Sequence, residues 1–150
     1  MKEKYILLNR CKLELESRSV NESFARAVVA AFAAQLDPTM EELTDVKTSV
    51  SEAVTNCIVH AYPERRGKIM LTVGIYTGGL LRVQVRDWGC GIADIDKARE
   101  PLYSTLGEER AGLGFAVMES FMDRLRVRSK VGAGTTVTME KTIKGREGNQ

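Results

Sequence analysis

Histidine occurs once in the 150 residues, at His60, and cysteine three times, at Cys11, Cys57 and Cys90. A single imidazole leaves no basis for a multi-histidine metal site, and a Ser-His-Asp triad would have to be built on His60 itself. His60 reads instead as a structural residue at a helix end, favourable there if protonated. The cysteines are odd in number and widely spaced, so they form neither a disulfide framework nor a zinc pattern, and buried or spectator thiols are expected. No long apolar run opens the chain: Met1-Lys2-Glu3-Lys4 leads only to Tyr5-Ile6-Leu7-Leu8 before Asn9 and Arg10. That is too short for a signal sequence or a membrane span, so a cytoplasmic protein is expected. Nor is one sign of charge in excess. Twenty-two Lys and Arg face 20 Asp and Glu, a net charge of +2, which supplies no strong basic field for nucleic acid.

What is present suits one domain, since 43% of the residues are hydrophobic and a chain of this length buries a full core. A single domain is expected over residues 1–143, followed by a polar tail at 144–150, with no repeat or linker. Lys12-Leu13-Glu14-Leu15-Glu16 alternates like a half-buried strand, within a strand expected over Tyr5 to Ser17. Ser19, Asn21 and Ser23 offer caps for a helix over Phe24 to Leu36, which Asp37-Pro38 ends. Thr39 and Glu42 fit a capping box, and apolar residues from Leu43 to Ala61 recur at helical spacing as far as Tyr62-Pro63.

Lys68 to Tyr76 and Leu80 to Asp87 read as a hairpin around Thr77-Gly78-Gly79. Arg99 to Gly112 lacks periodicity and reads as a long mobile loop of the kind that forms lids. Gly114 to Met122 is helical in spacing, and a second hairpin surrounds Gly132-Ala133-Gly134. This order predicts an α/β (α+β) fold, a two-layer α/β sandwich with a mixed sheet covered by helices on one face.

Asp45, Ser49, Glu52, Asn56 and His60 form a polar stripe on the central predicted helix. Such a stripe is ordinarily a solvated face. The alternative is that Asn56 supplies an oxygen to Mg²⁺ while Glu52, one turn away, acts as a base, the pairing that phosphoryl transfer requires. Asp87-Trp88-Gly89-Cys90-Gly91 is either an Asp-Gly turn or a place where a buried Asp87 accepts a hydrogen bond from an adenine amino group. Gly112-Leu113-Gly114 would open a helix whose free amides bind phosphate, with Arg110 reaching the same group. Gly132 to Thr136 reads as a turn whose Thr135 hydroxyl could complete an adenine pocket.

Taken together, Glu52-x-x-x-Asn56, Asp87-x-Gly89-x-Gly91, Gly112-x-Gly114 and Gly134-Thr135 resemble, in order and spacing, the nucleotide-binding boxes of the GHKL (Bergerat) ATPase superfamily. Asn21-Glu22-Ser23-Phe24-Ala25-Arg26, Ser51 to Asn56 and Met118 to Asp123 resemble the serine-phosphorylating anti-sigma factors of sporulation, over roughly Val20 to Met139. The resemblance implies ATP/ADP and Mg²⁺ as cofactors. Asn56 would hold the metal, Asp87 the adenine, Gly89 and Gly91 the pocket, and Arg110, Gly112 and Gly114 the phosphate lid. Glu52 would be the catalytic base. It further implies a homodimer that sequesters a sigma-F-like sigma factor and phosphorylates a serine of its anti-anti-sigma antagonist, with Arg26 contacting partners. The chain departs from the pattern at Leu106-Gly107, where relatives often carry Lys and Pro, and in extra residues before the first strand. A general-stress anti-sigma-B kinase, or a nucleotide-dependent sequestering module without kinase activity, stays open beside this reading.

Overall fold

Period-two alternation carries Lys68–Tyr76 (β2) and Leu80–Asp87 (β3) into a hairpin. Ile69, Leu71, Val73 and Ile75 of β2, with Leu81, Val83 and Val85 of β3, point to one face and are buried. The turn between them needs left-handed backbone at Gly78 and Gly79, with φ of 81° and 77°, a conformation glycine adopts without penalty. In the computed structural model, which describes residues 4–100 and 106–146 and only the backbone of 106–112, this hairpin is the middle of a five-stranded sheet. Its order is β1-β2-β3-β5-β4, where β1 is Leu7–Glu16, β4 Arg124–Lys130 and β5 Gly134–Thr142.

The helices cover one face of the sheet, as the two-layer reading requires. Val20–Ala33 (α1) buries Ala25, Val29 and Ala33, one apolar stripe at i, i+4 and i+8. Met40–Asn56 (α2) buries Val46, Val50, Ala53 and Val54. The predicted capping box is formed: the Thr39 hydroxyl accepts from the Glu42 amide and the Glu42 carboxylate from the Thr39 amide, both at 3.0 Å. Leu106–Phe121 (α4) buries Phe115 and Met118 behind the short helix Ile95–Ala98 (α3). Each large apolar side chain fully removed from water stabilises the fold by about 1.5–3 kcal/mol.

Three expectations need correction, and one set of contacts was not foreseen. The sheet is not mixed, because every adjacent pair of strands runs antiparallel. Two helices joined by a short turn lie between β1 and β2, so the chain returns to the end at which β1 finished; Ser17 N–H donates to Gly67 O at 2.9 Å where those ends meet. α1 starts at Val20, so Asn21 and Ser23 lie inside it and do not cap it. The lid stretch is helical from Leu106 onward, because Glu108, Glu109, Arg110 and Ala111 are strong helix formers with acidic residues near the start. Pro101, Ser104 and Thr105 lie outside the described residues. Finally, the tail is fastened at its start: the Lys144 and Gly145 amides donate to the Glu42 carboxylate at 2.7 and 3.1 Å, and Arg146 pairs with Asp37.

Candidate functional site

The polar stripe of α2 is not a solvated face. Ser49 is fully buried, its hydroxyl without a hydrogen-bond partner among the described residues, and Asp45 pairs with Lys141 at 3.6 Å. Glu52 and Asn56 are half-buried one turn apart. Opposite them lies Gly114 of α4, where a Cβ would come within 3.0 Å of Glu52 Oε2, 3.3 Å of Asn56 Oδ1 and 3.4 Å of Asn56 Nδ2. Glycine at 114 thus leaves a small space that both side chains border. Asn56 Nδ2 is buried with no hydrogen-bond partner among the described residues, and an unsatisfied buried amide costs about 1–3 kcal/mol. A carboxamide oxygen beside a carboxylate suits Mg²⁺, which takes oxygen ligands and completes its octahedron with phosphate and water. The residues present therefore fit that ion.

After Asn56 the helix widens into a π-helical turn over Cys57–Ala61, in which Tyr62 N–H donates to Cys57 O at 3.1 Å. The turn also sets Cys57 against Asp87 at the end of β3, where the thiol donates to Asp87 Oδ2 at 3.5 Å. Asp87 Oδ1 accepts from the backbone amides of Gly89 at 3.0 Å and Thr135 at 3.1 Å. Burial raises the Asp87 carboxyl above its ordinary value, with the two amides pulling the other way. Burial, reinforced by the charge of Asp87, pushes the Cys57 thiol well up, so it stays protonated and unreactive. Oδ2 thus has a single, long contact and keeps capacity to accept another bond, as a purine amino group would require.

The loop glycines act chiefly against the chain itself. A Cβ at Gly89 would stand 2.2 Å from Ala61 O, and one at Gly134 2.1 Å from Asp87 O. They let the Asp87 loop press onto the π-helical turn on one side and the β4–β5 turn on the other. Gly91 approaches Lys130 O in the same way. The Thr135 hydroxyl is engaged with Ser129 Oγ at 2.7 Å, so this residue braces Asp87 through its amide. Tyr62 anchors the loop's other end, donating its hydroxyl to Lys68 O and accepting from Trp88 N–H, both at 2.7 Å.

Sequence reasoning missed Cys57, Tyr62 and Ser129. Cys57 looked like one more apolar position, and its place directly after Asn56 was the available signal. Gly112 and Gly114 are not at a helix start, since α4 begins at Leu106; the phosphate-binding role expected of free amides there does not follow from this backbone. The Arg110 side chain lies outside what the structure describes. Arg26 stands apart from the cluster, pairing with Glu22 at 3.1 Å and donating to Ser51 Oγ at 3.2 Å. It lines a shallow cleft with Thr44, Lys47 and Thr48.

Comparison with known proteins bears on this arrangement. The histidine kinase-like ATPase domain family matches residues 14–141. An anti-sigma F factor of Thermoanaerobacter sp. (strain X514) is 57% identical over 136 residues, which cover 90% of this chain and 94% of that protein. One from Geobacillus thermodenitrificans (strain NG80-2) is 52% identical, covering 90% and 93%. Among solved structures, the RsbU and RsbW domains of a Mycobacterium tuberculosis protein superpose with a TM-score of 0.65 at 19% identity, over 91% of this chain and 32% of that one. The histidine kinase domain of a blue-light activated kinase from Erythrobacter litoralis gives 0.55 at 24%, over 81% and 60%. An ATPase-domain family implies nucleotide binding. The chain belongs to the histidine kinase-like ATPase domain family and, within it, to the family of the anti-sigma F factors.

Proposed function

We propose that this chain is a cytoplasmic anti-sigma protein kinase that binds Mg-ATP between α2, α4 and the Asp87 loop and phosphorylates a serine of an anti-anti-sigma protein. The observation that carries the reading is the pairing of Glu52 and Asn56 one turn apart against Gly114, a carboxylate and a carboxamide bordering one small space. When bound, Mg-ATP supplies the phosphoryl group and the metal charge. Asn56 would hold the metal, and Asp87 would accept a hydrogen bond from the adenine amino group through Oδ2. Gly89 and Gly91 shape the base pocket, Thr135 braces it, and Arg110, Gly112 and Gly114 belong to the phosphate side. Glu52 takes the proton from the serine hydroxyl as that oxygen becomes the nucleophile. Arg26, held by Glu22 of α1 and Ser51 of α2, meets a protein partner. The relatives named anti-sigma F factors support a sigma factor as the protein sequestered; that it is a sporulation sigma factor, held by a homodimer of this single domain, completes the proposal.

The test is transfer of labelled γ-phosphate from Mg-ATP to a purified candidate anti-anti-sigma protein. Glu52→Ala is expected to slow transfer by about 10² to 10⁴-fold while nucleotide affinity stays nearly unchanged, as loss of a general base does. The product should be acid-stable, as phosphoserine is. Equal transfer by the variant would remove Glu52 from the chemistry. Binding of ATP without transfer by either protein would leave sequestration alone.

A further inference from the structure

The sheet face turned away from the helices carries a charge pattern that the nucleotide site does not use. Strand register places Arg124, Arg126 and Arg128 of β4 beside Glu140, Thr138 and Thr136 of β5, and those beside Arg82, Gln84 and Arg86 of β3. Farther across, Arg10 and Lys12 of β1 lie in the first two of these rows. The β3, β4 and β5 residues line a trough of about 450 Å³. Glu140 is its one carboxylate and is already taken: Arg82 grips Oε2 through Nε at 2.7 Å and Nη2 at 2.6 Å. Arg86 contacts the Trp88 ring, whereas Arg124, Arg126 and Arg128 are exposed and make no ion pair or hydrogen bond among the described residues. Alternate side chains on a strand stand about 6.6–6.8 Å apart, inside the Debye length of about 8 Å at physiological ionic strength. The three guanidinium groups therefore repel one another, and nothing described in the chain relieves it.

We propose that this face docks an extended acidic polypeptide segment lying along β4, with carboxylates at alternate residues meeting Arg124, Arg126 and Arg128. An extended chain repeats its side chains at the same interval, so successive carboxylates stay in step with successive arginines. The Arg82–Glu140 contact, two guanidinium nitrogens on one carboxylate oxygen, is the local example of the charge-assisted pairing that would form. β4 is an edge strand, and charges commonly guard edges against pairing. A guard works with either sign, however, whereas this face is basic across three strands of a chain whose net charge is only +2. Nucleic acid is less suited, because Arg, Thr, Gln and Glu line the trough and the two rings at its margin, Tyr76 and Trp88, are already faced by Arg82 and Arg86. A second copy would bring arginine against arginine.

Fluorescence anisotropy at 50 mM salt with a labelled ten-residue alternating Thr-Glu peptide tests the proposal. The Thr-Gln and Thr-Lys peptides and a twelve-nucleotide oligothymidylate serve as comparisons. The full-length protein is expected to bind the Thr-Glu peptide at least tenfold more tightly than any of these. Arg124→Glu/Arg126→Glu/Arg128→Glu should lose at least tenfold of that affinity while binding of a fluorescent ATP analogue is retained. Should that variant fold poorly, Arg126→Gln/Arg128→Gln should still weaken the peptide about threefold. Equal peptide affinity in a folded variant, tighter binding of the oligothymidylate, or self-association that the variant abolishes would each overturn the proposal.

Discussion

Asn56 shows how much one side chain settles. Its amide nitrogen is buried without a hydrogen-bond partner among the described residues, while its oxygen borders the space in front of Gly114 beside Glu52. Under the proposed function that oxygen is the metal ligand. Asn56→Ala should therefore weaken Mg²⁺-dependent nucleotide binding by tenfold or more, while thermal unfolding without nucleotide changes by no more than about 1 kcal/mol, since no internal hydrogen bond of Nδ2 is lost. Titration of a fluorescent ATP analogue with and without magnesium checks this, and an unchanged magnesium dependence would speak against Asn56 as the ligand. Helical spacing and strand-end position told where Glu52, Asn56 and Asp87 lie, but alone they left a solvated stripe and an ordinary turn open, and the roles expected of them came from the resemblance to the ATPase boxes. Cys57 and Thr135 were less so. The thiol meets Asp87 across 30 residues of chain, a contact that helical spacing does not announce, and Thr135 contributes a backbone amide, which its side-chain type does not reveal.

At the scale of elements, α2 was the most legible part of the chain, and its capping box formed as the spacing predicts. Glu42 does more than cap. Its carboxylate also accepts the Lys144 and Gly145 amides. Burial works against its ionisation, but the amides of Thr39, Lys144 and Gly145 outweigh it and hold the carboxyl below the ordinary value. Because the folded value is depressed, the stabilisation is present above the unfolded value of 4.5 and is lost as pH falls through the folded one. Glu42→Gln should thus cost about 1–2 kcal/mol at pH 7, in the range of lost caps and charged hydrogen bonds. The gap to wild type should close below about pH 4 in urea unfolding curves. The beginning of α4 was not legible, because glycines at 107, 112 and 114 and Pro101 suggested a loop, whereas four helix formers between them carry the backbone into a helix.

Across the whole molecule, element order gave the two layers and which face the helices cover. The direction of the strands depended on counting helices between β1 and β2, since an even number brings the chain back antiparallel. The bond from Glu42 to residues 144 and 145 has a consequence for how the chain folds in time. It joins positions 102 and 103 residues apart, while the capping bonds of the same carboxylate span three. A contact that closes so long a loop forms after the local ones, since its ordering entropy is recovered only once the sheet has assembled. Removing residues 144–150 should accordingly raise the unfolding rate by roughly tenfold, equivalent to about 1.4 kcal/mol, and leave the refolding rate nearly unchanged in stopped-flow denaturant jumps. Glu42 then belongs to two moments of folding: it joins the helix in the early nucleus, and it seals the finished domain after the transition state has passed.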